Sequence, residues 1–325
     1  MVAGVRLDEI LAVLRAAGEP TRLRILSLLS RGERSVKDLT DILGQSQPRI
    51  SRHLKLLGDA GLVERHPEGT WAFFRLVERG IGGRLVSEMI AMSDPDDTVL
   101  RRDIERLEAV REAHATLAGR YFSANAAKWD EIRSLQAPEK EVEARIEALV
   151  PRDLDLLVDL GTGTARMLEL LADRYRRGVG IDLSQDMLHY ARSRLDSAGV
   201  RHAQLRQGDV YNPQVDAGSA DVIILHQVLH FLDNPALAVR EAARLLKPGG
   251  IAIVVDLAPH DMEQLRENHA HRRLGFNREQ INGWLEEAGI APGETFDIGS
   301  GEPGKLTVTI WSGRGIAVPD TTVAA

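Results

Sequence analysis

The spacing of apolar residues changes near residue 150. Before that point they recur every three to four positions, which is typical of amphipathic helices, whereas after it short apolar runs alternate with helical patterns. Such alternation favours a parallel sheet with helices on both faces. A chain of 325 residues is long enough for two parts of this kind, because domains usually hold about 100–200 residues.

The first part is predicted to contain four helices followed by a β-hairpin. Pro20 opens the second helix at a position where its missing N–H costs nothing, and Ser35, three residues before Asp38, caps the third. The helices are predicted over residues 8–18, 20–30, 35–43 and 46–57, and the hairpin over residues 62–76.

The fourth helix combines an apolar face with groups that read DNA. Ile50, Leu54 and Leu57 share the apolar face. The other positions include arginine, which binds guanine bidentately, glutamine, which binds adenine, and serine and lysine, which bind phosphates. We expect DNA contacts from this helix and the hairpin, at Ser46, Gln47, Arg49, Ser51, Arg52, His53, Lys55 and His66.

These motifs resemble the ArsR family of winged-helix repressors over about residues 5–92. The resemblance rests on Glu-Pro-Thr-Arg-Leu-Arg-Ile-Leu at 19–26, Ser-Gln-Pro-x-Ile-Ser-Arg-His-Leu-Lys-x-Leu at 46–57, and the Ala-Gly-Leu-Val before the hairpin. It implies a homodimer that binds a palindromic operator in double-stranded DNA. The alternative is a helical domain with a solvated basic face, but the helix-turn-helix spacing and the hairpin favour DNA binding.

The chain contains no cysteine, which excludes disulfides, thiolate metal sites and cysteine nucleophiles. Many metal-sensing members of the family carry a cysteine motif where this chain has Ser35 to Leu39. The helix predicted from Ile81 to Met92 has no histidine. We therefore expect no metal site, no metal sensing and no arsenite methylation, because these need soft or imidazole ligands.

Charge divides unevenly along the chain. Residues 1–93 hold 14 Lys+Arg and 11 Asp+Glu and so have a net charge of +3, whereas the net charge of the whole chain is −7. A basic first part suits a domain that binds nucleic acid, joined to an acidic second domain. No apolar stretch reaches the roughly 18 residues of a transmembrane helix, and residues 1–6 lack the pattern of a signal peptide. We expect a cytoplasmic protein without membrane contact.

A break at residues 93–97 separates the two parts. Beyond it, Thr98 to about Leu117 is predicted to be a helix whose narrow apolar stripe suits one partner, either a second copy or the chain's own domains. The expected divisions are a DNA-binding domain at 1–93, a helical linker at 94–119, a second domain at 120–315 and a flexible tail at 316–325.

The second domain is predicted to hold seven strands, five of them parallel. The parallel strands cover residues 156–160, 177–181, 203–207, 220–225 and 251–256, and a terminal hairpin covers 295–298 and 305–311. Gly161 and Gly163 follow the first strand and let a ligand approach the backbone. Asp182 ends the second strand within reach of a ribose diol, and Asp209, after the third, suits an adenine amino group.

The same motifs resemble class I S-adenosylmethionine-dependent methyltransferases over about residues 120–312. The fold class expected is α/β, a winged helix-turn-helix followed by a Rossmann-like, mostly parallel seven-stranded sheet. The resemblance implies that Asp159 and the glycines surround the methionine part of the ligand, Asp182 the ribose, and Asp209 the adenine. The candidate residues for S-adenosylmethionine or S-adenosylhomocysteine are Tyr121, Asp159, Gly161, Thr162, Gly163, Asp182, Leu183, Met187, Asp209, Val210 and His226.

Two positions depart from common patterns. Thr164 stands where the methyltransferases often have a third glycine, which leaves the turn plausible but tighter. The alternative is a nicotinamide dinucleotide fold, but Arg166 stands where its third glycine belongs, so the sequence favours S-adenosylmethionine.

Aromatic and histidine side chains supply candidate chemistry around the predicted pocket. Tyr121 suits contact with a sulfonium or a carboxylate, or plain core packing. His269 and His271 lie two apart and would not share the face of a helix, and metal binding or surface roles are alternatives for the histidines. The candidate catalytic residues are His226, His230, His260 and His269.

Two functions fit this combination. The first is a transcriptional regulator that binds S-adenosylmethionine or S-adenosylhomocysteine and reports methylation status. The second is an active small-molecule methyltransferase with an accessory DNA-binding domain. The fusion favours the first, because an enzyme rarely needs a dimer that binds a palindrome. Methylation of DNA bases is not expected, because Leu225 to Val228 lacks the Asn/Asp-Pro-Pro-aromatic motif of such enzymes.

Overall fold

A computed structural model describes residues 6–77, 80–129, 139–299 and 305–316. By its internal contacts the chain divides into two compact units, Met1–Thr116 and Leu117–Ala325. Apart from Ile316, the predicted flexible tail lies outside the described residues. Among the described helices, none is long and apolar enough to cross a membrane.

The first unit has the predicted helices and hairpin. Its strands form an antiparallel sheet in the order β1-β3-β2. The helices are α1 (Leu7–Ala17), α2 (Pro20–Leu29), α3 (Val36–Leu43), α4 (Gln47–Asp59), α5 (Gly80–Ala91) and the start of α6 (Thr98–Asn125), and the strands are β1 (Arg34–Ser35), β2 (Val63–Glu68) and β3 (Trp71–Leu76).

Local capping explains where α2 and α3 begin. The Ser35 hydroxyl accepts the backbone N–H of Asp38 at 3.0 Å, and the Asp38 carboxylate accepts the N–H of Ser35 at 3.2 Å. This confirms the predicted capping box, whose serine contributes about 1 kcal/mol to helix stability. Pro20 lies in the first turn of α2, where Glu19 caps the free N–H of Arg22.

Helix α6 is longer than predicted, because it continues past Leu117 to Asn125. Its first half lies on the first unit. The Arg24 guanidinium donates two hydrogen bonds of 2.6 Å to the Asp103 carboxylate, Arg106 donates to the Ile42 carbonyl, and Leu107 is buried. The narrow stripe therefore packs on the chain's own first unit.

Replacing Asp103 by alanine should destabilise the first unit by about 3 kcal/mol, because it leaves the Arg24 guanidinium without its carboxylate in a site where Asp103 is 3% exposed. Denaturant unfolding followed by circular dichroism measures the change. The matched control is Glu105→Ala on the same helix, which is exposed and should shift stability by less than about 0.5 kcal/mol. Equal effects of the two variants would contradict the role of the pair.

The second unit is a seven-stranded sheet in the order β6-β5-β4-β7-β8-β10-β9, parallel except for β10, which runs antiparallel to both its neighbours. Each predicted strand is confirmed, with longer bounds for most. The strands are β4 (Leu154–Leu160), β5 (Tyr175–Asp182), β6 (Ala203–Gln207), β7 (Ala220–His226), β8 (Leu246–Leu257), β9 (Ile290–Gly299) and β10 (Thr307–Gly315).

Helices cover both faces of this sheet, and a buried apolar cluster lies on each side of it. The helices are α7 (Glu139–Leu149), α8 (Arg166–Leu170), α9 (Gln185–Ser197), α10 (Pro235–Leu245), α11 (Gln264–Asn268) and α12 (Arg278–Glu287). Strand order reverses between β4 and β7, since β5 and β6 lie to one side and β8 to the other. A crevice at the carboxyl ends of strands forms at such a point, and ligands of open α/β sheets bind there.

Candidate functional site

A glycine turn follows β4 at this crevice. Gly161 has a φ of +76°, and its N–H donates to the Ile181 carbonyl at 2.8 Å, as does the N–H of Thr162 at 2.9 Å. A Cβ on Gly161 would lie 2.5 Å from Cγ2 of Val228. Both the positive φ and the close approach therefore require glycine at this position.

The carboxylate of Asp182, at the end of β5, closes the turn. Its Oδ2 accepts the N–H of Gly163 at 2.8 Å, and its Oδ1 accepts the N–H of Ser184 at 2.8 Å. Burial raises the pKa of this carboxyl above its ordinary value, and these backbone hydrogen bonds oppose the rise. Two further residues predicted to bind the ligand follow Asp182 and differ in exposure: Leu183 is 54% exposed, whereas Met187 is buried.

Asp159 faces the turn from inside. It is buried, and its Oδ2 accepts the hydroxyl of Thr162 at 2.6 Å, so this carboxylate holds the turn together.

Asp209 is exposed and accepts the N–H of Tyr211 at 3.0 Å, while Val210 beside it is buried. His226 is the last residue of β7 and is partly buried.

Arg166 is the residue that favours S-adenosylmethionine over a nicotinamide dinucleotide in the sequence, and its side chain forms ion pairs with two glutamates. Its guanidinium donates hydrogen bonds of 2.6 and 2.7 Å to Glu143 of α7 and one of 2.9 Å to Glu169. Helix α8 behind the turn has only five residues and begins after Ala165, whose φ is +62°.

An aromatic group lies beside the glycine turn. Nε1 of Trp129 is 3.7 Å from the position of a Cβ on Gly163. The Trp129 ring contacts Phe122 at 5.3 Å and Phe231 at 6.1 Å between centroids, and Tyr121 at 6.3 Å. Of these four rings, only Tyr121 is among the predicted site residues. Phe122 and Trp129 lie in the same segment as Tyr121, and Phe231 follows β7. These three rings can therefore be found in the sequence once the strands are assigned.

Histidines gather around the same edge of the sheet. Nδ1 of His230 lies 2.7 Å from Oδ1 of Asp256, and the rings of His230 and His271 are 4.3 Å apart. The hydroxyl of Tyr121 lies 2.8 Å from Nδ1 of His269. Burial lowers the pKa of His260 to about 4 and lowers that of His271 further.

His269 and His271 do not lie on a helix. Helix α11 ends at Asn268, and the positive φ of Ala270 bends the chain, so their rings come within 6.5 Å. The prediction that the side chains of His269 and His271 would not share one face applies only to a helix, and these residues follow the end of α11. Within the described ranges, no three His, Cys, Asp or Glu side chains are grouped to hold a metal ion.

In the first unit, α4 exposes most of the predicted DNA-contacting side chains. Its apolar face, Ile50, Leu54 and Leu57, is buried as predicted. The exposed residues are Ser46, Gln47, Arg49, Ser51, Arg52 and Lys55. A groove of about 610 Å³ separates α4 from the hairpin, and Gln47, Ser51 and Lys55 line it together with Lys37 and Arg65.

Both predicted histidine contacts are less accessible than those six residues. The side chain of His53 is 12% exposed, and its Nδ1 lies 3.5 Å from the Glu19 carboxylate that caps α2. Burial lowers the pKa of His53 despite this neighbour. His66 is partly buried on β2, opposite Phe73 and 3.9 Å from Glu64.

Comparison with known proteins covers both units. The model of the bacterial regulatory protein family arsR matches residues 19–65, and that of the methyltransferase domain matches residues 158–254. The arsenical resistance operon repressor of Bacillus subtilis is 37% identical over 76 residues, 23% of this chain and 72% of the repressor.

Larger relatives match the second unit. The bifunctional biotin biosynthesis protein of Cellvibrio japonicus is 28% identical over 200 residues, which are 57% of this chain but only 38% of that protein. One chain of the complex between a methyltransferase activator and a methyltransferase from Haloferax volcanii superposes with a TM-score of 0.50 at 22% identity, covering 60% of this chain and 97% of that one. At this identity the superposition shows the fold alone.

Proposed function

The chain belongs to the ArsR family of bacterial regulatory proteins, here joined to a class I methyltransferase domain, and from this premise we propose that it is a transcriptional regulator that binds S-adenosylmethionine or S-adenosylhomocysteine as a signal of methylation status. One observation carries the proposal: a single chain holds base-reading groups exposed on α4 and a glycine turn closed by the Asp182 carboxylate. We propose domain boundaries at 1–93 and 120–315.

The turn suits the nucleoside part of such a ligand. Gly161 and Gly163 carry no side chain where Val228 and Trp129 approach the turn, and Asp182 offers carboxylate oxygens at the end of β5, where a ribose diol is held in folds of this kind. Trp129 and Tyr121 offer ring faces that attract a sulfonium as they attract other cations. These residues fit S-adenosylmethionine, and we assign Asp209 and Val210 to its adenine.

The first unit suits double-stranded operator DNA read by a homodimer. Gln47, Arg49 and Arg52 would meet base edges, and the serines and Lys55 would meet phosphates. Leu7, Leu11 and Leu14 lie on one face of α1 and are 38–71% exposed, an apolar stripe that supports self-association. Two copies would present two α4 helices to a palindrome.

A sensing role requires that the ligand prefer one state of the protein. S-adenosylmethionine has one methyl group and one positive charge more than S-adenosylhomocysteine. Aromatic ring faces attract cations, so the rings of Trp129 and Tyr121 would distinguish the two ligands. A ligand with equal affinity for the DNA-bound and free protein would shift nothing. The proposal therefore predicts a coupling free energy between the ligand and DNA.

Fluorescence anisotropy of labelled DNA from upstream of the chain's own gene tests this coupling. At fixed salt, saturating S-adenosylmethionine or S-adenosylhomocysteine should change the Kd for DNA by about 5–150-fold. Zinc or arsenite should leave the Kd unchanged, because the chain offers no thiolate. Equal Kd values with and without both bound ligands would overturn sensing, and release of DNA by zinc or arsenite would overturn the argument from missing thiolates.

A further inference from the structure

The groove between α4 and the hairpin combines an apolar base with a cationic rim. Its volume of about 610 Å³ lies within the range of roughly 300–1,000 Å³ that small-molecule sites occupy. Its walls come from the start of α3, from α4 and from both strands of the hairpin, so all of its lining residues belong to the first unit. The groove is therefore complete without any residue of the second unit.

The base of the groove is apolar because α4 and the hairpin both turn buried side chains towards it. Leu54 of α4, Val63 of β2 and Phe74 of β3 line the groove and are 1%, 5% and 9% exposed. Trp71 and Ala72 of β3 line it as well, but they are only partly buried. These two side chains leave apolar surface open above the buried base.

The rim of the groove carries an excess of positive charge. Lys37 of α3, Lys55 of α4 and Arg65 of β2 are exposed and line the groove, and Asp59 is the one carboxylate among the lining residues. Within the described part of the chain, none of these three cations forms an ion pair. Their charge is therefore available to an anion that enters the groove.

Contact with DNA phosphates accounts for the rim but not for the open apolar surface. Phosphates are bound by cations, hydroxyls and backbone N–H groups, and none of these contacts needs the ring of Trp71 or the methyl group of Ala72. Apolar and aromatic lining with a few convergent polar groups is typical of a site for a small organic molecule. The excess of cations indicates that such a molecule is an anion.

We infer that this groove is a second ligand site, which binds a small planar aromatic molecule with one anionic group, and that this ligand and DNA exclude one another. The ring of the ligand stacks on Trp71 above the apolar base. Its carboxylate or phosphate group lies at the rim, where Lys37, Lys55 and Arg65 supply charge-assisted hydrogen bonds.

Exclusion follows from the part of α4 that the ligand covers. Gln47, Ser51 and Lys55 are spaced four residues apart, lie on one face of the helix and line the groove. The proposed function assigns these side chains to bases and phosphates, so exclusion rests on that proposal, whereas binding of the small molecule does not. The groove thus gives the regulator an input that is independent of S-adenosylmethionine.

Fluorine NMR of the full chain labelled with 5-fluorotryptophan tests the ligand site. The chain has four tryptophans, and the variants Trp71→Phe and Trp129→Phe assign the resonances of the groove and of the glycine turn. 2-Naphthoate and 2-naphthyl phosphate should each shift the Trp71 resonance in a saturable way. Neutral 2-naphthamide, which lacks the charge, should bind about 10–100-fold more weakly. Inorganic phosphate, which lacks the ring, should not compete with 2-naphthoate at equal concentration.

Substitutions at the rim test the recognition of the anion. Arg65→Gln and Lys37→Gln should each raise the Kd of 2-naphthoate by about 2–5-fold, because a single exposed ion pair contributes little, and the double variant should raise it further. The matched control is Arg75→Gln on the same hairpin, since Arg75 pairs with Glu64 and does not line the groove. Equal Kd values in the double variant and in this control would overturn the role of the rim.

Anisotropy of labelled DNA from upstream of the chain's own gene measures exclusion at constant ionic strength. 2-Naphthoate at ten times its Kd should raise the apparent Kd for DNA by about 10-fold, as expected for two ligands that compete for one site. The same concentration of 2-naphthamide should leave the Kd for DNA unchanged. A saturated Trp71 shift with an unchanged Kd for DNA would overturn exclusion.

The Trp71 resonance also separates this inference from the proposed function. If it responded to DNA but to neither naphthyl anion, the ligand site would be overturned and the groove would serve DNA alone. A response confined to Trp129 and abolished by S-adenosylmethionine would also overturn it, because the anion would then lie at the glycine turn. A response of Trp71 to the anions in a chain that binds no DNA would defeat the proposed regulatory function and support the ligand site.

Discussion

Replacing Asp182 by alanine should weaken the binding of S-adenosylmethionine by about 10²–10⁴-fold. The Asp182 carboxylate would accept the two ribose hydroxyls, and hydrogen bonds to a charged group contribute roughly 1.5–3 kcal/mol each. The same substitution removes the acceptor that holds the N–H of Gly163 and of Ser184, so the turn itself loses its closure. Isothermal titration calorimetry with the full chain measures the loss, and binding to DNA without ligand should not change.

Two further variants make this result specific. Asp182→Asn keeps one acceptor oxygen and should give an intermediate Kd, whereas Asp196→Ala, an exposed carboxylate on α9, should bind as wild type. Retained affinity in Asp182→Ala would remove this carboxylate from the ligand site.

The same carboxylate predicts a pH dependence. Burial raises the pKa of Asp182, so on acidification it takes up a proton earlier than an ordinary aspartate does. Protonation removes an acceptor, and affinity for S-adenosylmethionine should therefore fall as pH falls. An affinity independent of pH in wild type, or a fall of equal size in Asp182→Asn, would contradict this cause.

The sequence predicted those features that depend on local spacing. The strands of the second unit are recognisable because β4, β7 and β8 are nearly continuous apolar runs, as buried parallel strands are. The capping box of Ser35 and Asp38 spans three residues, and the buried face of α4 follows helical periodicity. Helix α6 extends beyond its predicted end, because the chain stays helical through Gly119, a residue type that commonly follows the end of a helix.

Features that join distant residues could not be predicted in this way. His230 and Asp256 lie 26 positions apart and meet because β8 ends beside the turn after β7. Tyr121 and His269 are 148 positions apart. His53 has the right residue type for DNA binding, but it faces the N-terminus of α2, whose position relative to α4 depends on tertiary packing.

The double substitution of Gln47 and Arg52 by alanine should weaken operator binding by about 2–6 kcal/mol, because each lost base contact costs roughly 1–3 kcal/mol. Both side chains are exposed on α4, whereas its buried face anchors the helix, so the fold should survive. Anisotropy titrations with operator and scrambled duplexes measure the change.

The comparison between the two duplexes separates base reading from charge. Loss of a base contact weakens binding to the operator far more than to the scrambled duplex, whereas loss of a phosphate contact weakens both equally and lowers the salt dependence. The matched control Arg101→Ala removes the same charge from an exposed position on α6 and should leave operator preference intact. If the double variant kept its preference for the operator, α4 would not be the helix that reads the sequence, and the groove between α4 and the hairpin would serve only the phosphate backbone.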